Sequence, residues 1–167
     1  MHSESEARMI RRLVATVVLM SALLGPSPGL AGVKVRFINP ERYTDADSFG
    51  GASREVTLAE FRAYLETLGR RLLAPGQNLS IDVLDIDLAG QDEPRGRGTE
   101  VRVMRDVTPP RIKLRYTLSG GGRRTTSGED DLSDMNYLMN SSGRLSGRYG
   151  YEKALLDDWF RRIAGSR

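Results

Sequence analysis

The chain has 167 residues, no cysteine and a single histidine, His2, which lies in an N-terminal segment that we expect to be removed. Without cysteine or a retained histidine, the protein cannot form disulfide bonds, run Ser-His-Asp or Cys-His catalysis, or build the usual zinc site. Its 25 Lys and Arg against 22 Asp and Glu, a formal net charge of +3, are too evenly balanced to indicate nucleic acid or an acidic membrane surface as a partner.

The N-terminus has the pattern of a cleavable export signal. Arg8, Arg11 and Arg12 precede the apolar run LVATVVLMSALL, and the small residues Gly29 and Ala31 stand at the −3 and −1 positions of a cleavage site. The run is shorter than the roughly 20 residues that a membrane-spanning helix needs. We therefore expect residues 1–31 to be a signal peptide and residues 32–167 to form a single periplasmic domain.

Two alternatives concern the same segment. An uncleaved membrane anchor is the first, and the shortness of the apolar run argues against it. The second is the start of translation, which can be Met1 or Met9, because MIRR alone makes a compact basic start. Val33 stands where a lipoprotein requires its lipidated cysteine, so we expect no lipid anchor and no stable membrane anchor after cleavage.

A strand and a helix follow the signal. Residues 33–38, VKVRFI, alternate apolar and basic side chains, which is typical of a half-buried strand. Thr57 and Glu60 have the spacing of a capping box and predict a helix start there, and Pro75-Gly76 predicts its end. The apolar stripe of this helix consists of Leu58, Phe61, Leu65, Leu68 and Leu72.

The next apolar stretch, SIDVLDIDL, changes parity between Val83 and Leu84. A regular strand cannot bury both apolar sets, because a slip of one residue sends every side chain to the opposite face. We predict a β-bulge at these two residues, with a turn as the alternative. The bulge places Asp82, Asp85 and Asp87 together on the other face.

Three further strands and a second helix complete the pattern. Residues 99–104 and 111–118 alternate as strands, with Lys113 and Arg115 facing outward from the second of them. SGGG then predicts a turn into a hairpin strand, RRTTS. GEDDLSDMNY is interpreted as an acidic loop, while residues 129–150 as a whole have no clear pattern. The end of the chain, YGYEKALLDDWFRRIAG, predicts an amphipathic helix with either Tyr151 or Glu152 on its apolar flank.

This order of elements, β-α-β-β-β-β-α, predicts an α+β fold. After the first helix no two strands are separated by another helical pattern, which argues against a doubly wound parallel sheet. We expect a single two-layer domain, with a mainly antiparallel sheet and both amphipathic helices on one of its faces.

Five stretches occur in the order VKVRFINPERYTDA, SIDVLDIDLAG, PPRIKLRYTLSG, DMNY and YEKALLDDWF. Together they resemble a bacterial family of exported proteins known as domain of unknown function 3016, over roughly residues 33–163. The resemblance implies a small periplasmic protein. It implies no activity, substrate or catalytic residue.

The three aspartates support two interpretations. As a metal site, Asp82, Asp85 and Asp87, with help from Asp92 or Glu93, would hold Ca²⁺ or another hard cation, although the stretch lacks the alternating loop of known calcium sites. As the outer face of a sheet, they would pair with cations of a neighbouring strand, and each such pair would contribute about 0.2–1 kcal/mol. The second interpretation is favoured, and no cofactor is expected.

These residues lead to one expected function and its alternatives. We expect a binding or accessory module of the cell envelope that is not an enzyme, with Asp82, Asp85, Asp87, Lys113 and Arg115 as its docking surface for an unknown envelope protein or ligand. A homodimer through the same face is possible on this pattern. The alternative is a cation-dependent or carboxylate-based hydrolase that acts on envelope glycan or peptide. On the bulged strand Asp85 and Asp87 would lie about 7 Å apart, a separation that suits an inverting glycosidase.

Overall fold

The computed structural model describes residues 31–47, 53–95 and 100–165. The predicted signal peptide and both candidate start sites lie outside these residues, apart from Ala31. The strands and helices are β1 (Gly32–Phe37), α1 (Arg54–Leu72), β2 (Gln77–Asp87), β3 (Gln91–Pro94), β4 (Glu100–Val103), β5 (Arg111–Gly120), β6 (Thr126–Ser133), α2 (Ser141–Leu145) and α3 (Gly150–Gly165). Short 3-10 turns occur at Pro40–Arg42 and Tyr137–Met139.

Four strands form the main sheet in the order β1-β2-β5-β6. β1 and β2 are parallel, as expected for strands joined through a crossover helix, while β2-β5 and β5-β6 are antiparallel. One face of this sheet packs on α1 and α3, and their buried side chains form a single hydrophobic core. The predicted α+β fold with a mainly antiparallel sheet is therefore confirmed.

The predicted β-bulge lies where the parity of the sequence changes. Val83 pairs with Leu114, but the next pair along β5 joins Lys113 to Asp85, so that Leu84 has no partner in the register. The extra residue keeps the apolar side chains of β2 on the core face, where Ile81, Val83 and Ile86 are at most 2% exposed. The intervening aspartates consequently all face away from the helices.

The predicted capping box at Thr57 and Glu60 is wrong, because α1 begins about one turn earlier, after Ser53 at the N-cap position. Thr57 lies inside the helix and is buried, and its hydroxyl is 2.8 Å from the hydroxyl of Tyr149. Glu60 pairs with Lys153 of α3 at 2.6 Å. Both side chains that resembled a cap instead connect α1 to the segment that carries α3.

The segment GEDDLS is a strand rather than the acidic loop we predicted. It forms most of β6, which pairs antiparallel with β5 through the predicted hairpin turn. Two of its inward positions lack apolar side chains because of the aromatic residues that they meet. A Cβ at Gly128 would lie 2.9 Å from the ring of Tyr116, and Asp130 accepts a hydrogen bond of 2.8 Å from the indole of buried Trp159. A polar strand of this kind has no periodic apolar signal.

The region between β2 and β5 also differs from expectation. Residues 91–94, for which the sequence predicts no strand, form β3 and pair with β4 in a separate two-stranded sheet. The predicted strand at residues 99–104 is therefore present as β4, but it lies outside the main sheet. As a result β2 and β5 become neighbours, which determines the charge pattern on the outer face.

Candidate functional site: the charged face of the sheet

The face of the main sheet opposite the helices carries charged side chains whose sign alternates from strand to strand. Both charges of β1 are positive, those of β2 are negative, those of β5 are positive and those of β6 are negative. We call this surface the striped face, and it consists of Lys34, Arg36, Asp82, Asp85, Asp87, Arg111, Lys113, Arg115, Glu129 and Asp131.

The register aligns the charges into rows across the strands. In the first row, Arg36 is the partner of Asp82, Asp82 of Arg115, and Arg115 of Glu129. Arg36 donates to both carboxylate oxygens of Asp82 at 2.7 Å, and Arg115 donates to Glu129 at 2.9 Å. This row therefore forms an alternating ladder across all four strands.

The second row contains Asp85, Lys113 and Asp131. Lys113 lies 3.3 Å from Glu129 of the first row, and Arg111 lies 3.2 Å from Asp131. Diagonal ion pairs thus connect neighbouring rows as well as neighbouring strands, and each cation of β5 has a carboxylate partner on β6.

Asp85 also has a structural task. One of its oxygens accepts from the backbone N–H of Thr44 at 2.7 Å and from that of Ile86 at 2.9 Å, and the other accepts from the Thr44 hydroxyl at 2.7 Å. The carboxylate therefore fastens the segment after β1 onto β2. Its loss would loosen this segment whether or not the face binds anything.

The cations reach farther into solvent than the aspartates of β2. The side chains of Arg36, Arg111 and Arg115 are 58–59% exposed, whereas that of Asp82 is 17% exposed. Ion pairing shifts the pKa values of two residues in the ladder. The hydrogen bond to Asp82 raises the pKa of Arg36. Hydrogen bonds from Arg115 and then Lys113 lower the pKa of Glu129. Both shifts favour the charged forms of Arg36 and Glu129.

Asp87 lies at the end of β2, where the striped face meets two grooves of about 370 and 500 Å³. Partial burial raises its pKa, and the nearby carboxylates Asp45 and Asp85 raise it further, while Arg102 and Arg111 oppose the shift.

Arg102 of β4 organises this end of the sheet and was missed from the sequence. Its side chain is 6% exposed, and its guanidinium donates to the carbonyls of Leu88, Ala89 and Gly90 at 2.8–3.1 Å. It also pairs with the carboxylates of Asp45 and, at 3.2 Å, Asp92. An arginine on a short alternating strand gives no signal in the sequence, because its partners depend on the tertiary fold.

Glu152 of α3 is 1% exposed, and it accepts a hydrogen bond of 2.7 Å from the backbone N–H of Ala89. Burial raises the pKa of this carboxyl, and the nearby charge of Arg102 opposes the shift. The sequence placed either Tyr151 or Glu152 on the buried flank, and the structure selects the glutamate. This hydrogen bond joins α3 to the turn at residues 88–90, whose carbonyls accept hydrogen bonds from Arg102.

The described residues contain no group of three or more His, Cys, Asp or Glu side chains arranged to hold a metal ion. Both oxygens of Asp82 and both of Asp85 already accept hydrogen bonds within the protein. A cation at these aspartates would have to displace Arg36 and Thr44. The metal site at Asp82, Asp85 and Asp87 stays a prediction, which a titration with metal ions would test.

Comparisons with known proteins add a family but no activity. Of the helices in the described part of the chain, none combines the length and apolar character needed to cross a bilayer. No curated protein matches the sequence. One solved structure with some likeness is that of a minor lipoprotein from Acinetobacter baumannii, at 11% identity and a TM-score of 0.24, over 83% of this chain and 91% of that one. A score this low does not establish a shared fold. A family model for a protein of unknown function, DUF3016, matches residues 31–162, and the chain belongs to that family.

Proposed function

We propose that the protein is exported to the periplasm and that its striped face docks another molecule there without catalysing a reaction. The N-terminal pattern of basic residues, apolar run and small residues supports export. The single observation that supports docking is the alternation of sign by strand on a sheet face that neither α1 nor α3 covers.

The energetics of exposed ion pairs favour recognition over stability as the use of this face. Pairs in which the cation is more than half exposed contribute about 0–1 kcal/mol each, and hydroxyl or amide side chains would solvate a sheet face equally well. Ordered charges instead provide specificity and guide the approach of a partner. The ladder also holds long Arg and Lys side chains in place, which reduces the entropy lost when a partner binds.

A site-specific photo-crosslinker tests the docking surface. Thr117 lies on the striped face between Ser80 and Ser127, while Ala63 is exposed on α1 and serves as the matched control. We expect adducts in the periplasm from position 117 and none from position 63. Adducts from position 63 alone, or none from either position, would refute the proposed docking face.

Export is tested separately by the mass of the protein recovered from the periplasm. The proposal requires a chain that begins at Gly32, after cleavage behind Ala31. A chain found only in the cytoplasm, or one that keeps residues 1–31, would contradict it. This result is independent of the crosslinking experiment.

The raised pKa of Asp87 favours a second candidate, a carboxylate-based hydrolase of envelope glycan or peptide. Asp87 borders two grooves, and the backbone of Asp45 pairs with that of Asp87 in an isolated bridge. A carboxyl with a raised pKa can serve as a general acid beside a second, ionised carboxylate. Hydrolysis of envelope fragments that disappears in D87N and persists in D131N would support this candidate; no hydrolysis by the wild type would remove it.

A further inference from the structure

We propose that the molecule which docks on the striped face is a second copy of this chain, placed face to face about a twofold axis. The inference rests on the proposed docking function and names the occupant. It follows from the order of the charges, which is positive, negative, positive, negative from β1 through β2 and β5 to β6. This order is complementary to its own reverse.

A twofold axis that runs parallel to the strands, between the two sheets and midway between β2 and β5, reverses the strand order of the second copy. β1 then lies over β6 of the second copy, and β2 lies over its β5. Every strand therefore faces a strand of opposite charge. A twofold axis across the strands would instead place each strand over itself and bring like charges together, which costs free energy. The charges thus select one orientation.

The same axis keeps the rows at one level, so individual residues also match. Asp82 faces Arg115 of the second copy, and by symmetry Arg115 faces Asp82. In the next row Asp85 faces Lys113. At the rim Arg36 faces Glu129, because each lies on an outer strand of the first row. Sheets that pack face to face align within about 30° of each other, so the central rows match best.

The balance of charge distinguishes a second copy from a polymer of one sign. The face holds as many carboxylates as cations. An anionic glycan or lipid surface that met the cations of β5 would also lie over the carboxylates of β2 and β6, and a cationic peptide would meet the opposite conflict. A surface with the same alternating stripes avoids both.

Charge-reversed variants of residues 32–167 test the contact between Asp82 and Arg115. In D82R or R115D alone, each central contact of the dimer joins two like charges, so either variant should be monomeric. In an equimolar mixture each D82R chain can face an R115D chain, and both central contacts regain opposite charges. We expect sedimentation equilibrium to give a doubled mass for the wild type and for the mixture, and a monomer mass for each variant alone.

Salt and a matched control separate this dimer from other associations. The screening length falls from about 10 Å at 0.1 M salt to about 3 Å at 1 M, so the wild-type dimer should dissociate in high salt, whereas an apolar dimer would not. R161D changes charge equally on α3, where Arg161 pairs with Asp157, and should leave the dimer intact. Thermal unfolding checks the fold of each variant, and R36E with E129R provides a second complementary pair for the rim contact.

The possible outcomes distinguish failure of the dimer from failure of the docking face. A wild type that stays monomeric at every concentration in low salt overturns the inference, as does a mixture that stays monomeric when the wild type is dimeric. If position 117 crosslinks to a different protein and the wild type is monomeric, the docking face stands and the second copy is refuted. If position 117 gives no adduct at all, the docking proposal itself fails.

Discussion

Gly69 allows α1 to approach β1 closely, and the position of β1, the strand that carries Arg36, therefore depends on this glycine. It is buried in the last turns of the helix, and a Cβ added there would lie 2.1 Å from Cγ2 and 3.3 Å from Cβ of Val33. Carbon atoms in contact normally stand about 3.5–4.0 Å apart. Rotation of the Val33 side chain would relieve the first clash but not the second, so G69A has to move the helix and the strand apart.

Two effects oppose each other in G69A. Alanine gains about 1 kcal/mol over glycine inside a helix, while overpacking a well-packed contact costs about 1–3 kcal/mol. We expect the overpacking to exceed the helix gain, so that G69A lowers the free energy of unfolding by up to about 2 kcal/mol. In the double variant with V33A the methyl group at 2.1 Å is absent and only the 3.3 Å approach to Cβ remains. G69A should then cost less, by about 1–2 kcal/mol, than it does alone.

Urea unfolding of the two single variants and the double variant measures this coupling. G165A is the matched control, because a Cβ at Gly165 near the end of α3 meets no atom within 4 Å, and it should be neutral or slightly stabilising. If G69A stabilises the protein as G165A does, or if the effects of G69A and V33A simply add, the close approach of α1 to β1 does not determine the stability of this contact.

Three further predictions concern buried polar groups and metals. Because burial raises the pKa of Glu152, the folded state holds that proton more tightly than the unfolded state, and stability falls as the pH rises from about 4.5 through the raised pKa; urea unfolding of E152Q should lack this fall. W159F loses the hydrogen bond to Asp130 and leaves a cavity, so it should cost about 2–4 kcal/mol in the same assay, and no loss would contradict the buried contact. Ca²⁺, Mg²⁺, Mn²⁺ and EDTA should leave the thermal midpoint unchanged, since Asp82 and Asp85 have internal partners; an ion at 100 times its dissociation constant would add about 2.7 kcal/mol.

Features set by local periodicity could be predicted from the sequence. The bulge at Leu84 follows from parity alone, because only one extra residue lets β2 bury Val83 and Ile86 together. The strand β5, the glycine turn after it and the helix α3 follow in the same way from alternation, a run of glycines and an apolar stripe. In each case the pattern lies within a few residues, so it can be recognised without knowledge of distant contacts.

Features set by distant partners could not be predicted. Thr57 resembled a helix cap because its sequence spacing fits, but its hydroxyl contacts Tyr149. Asp130 resembled a loop residue because an inward carboxylate makes sense only beside the indole of Trp159. Arg102 had no signal, since its carbonyl partners come together only when β4 folds against the end of β2. The role of each of these side chains depends on a partner that lies far away in the sequence.

The most direct test of the striped face is a series of amide NMR spectra of residues 32–167, recorded in low salt at rising protein concentration. A face-to-face pair of sheets predicts shift changes that concentrate on the central rows, at Asp82, Asp85, Lys113 and Arg115, and that vanish in high salt. Changes confined to α1 and α3, or spectra that do not depend on concentration while the periplasmic crosslinks from position 117 are also absent, would contradict the account.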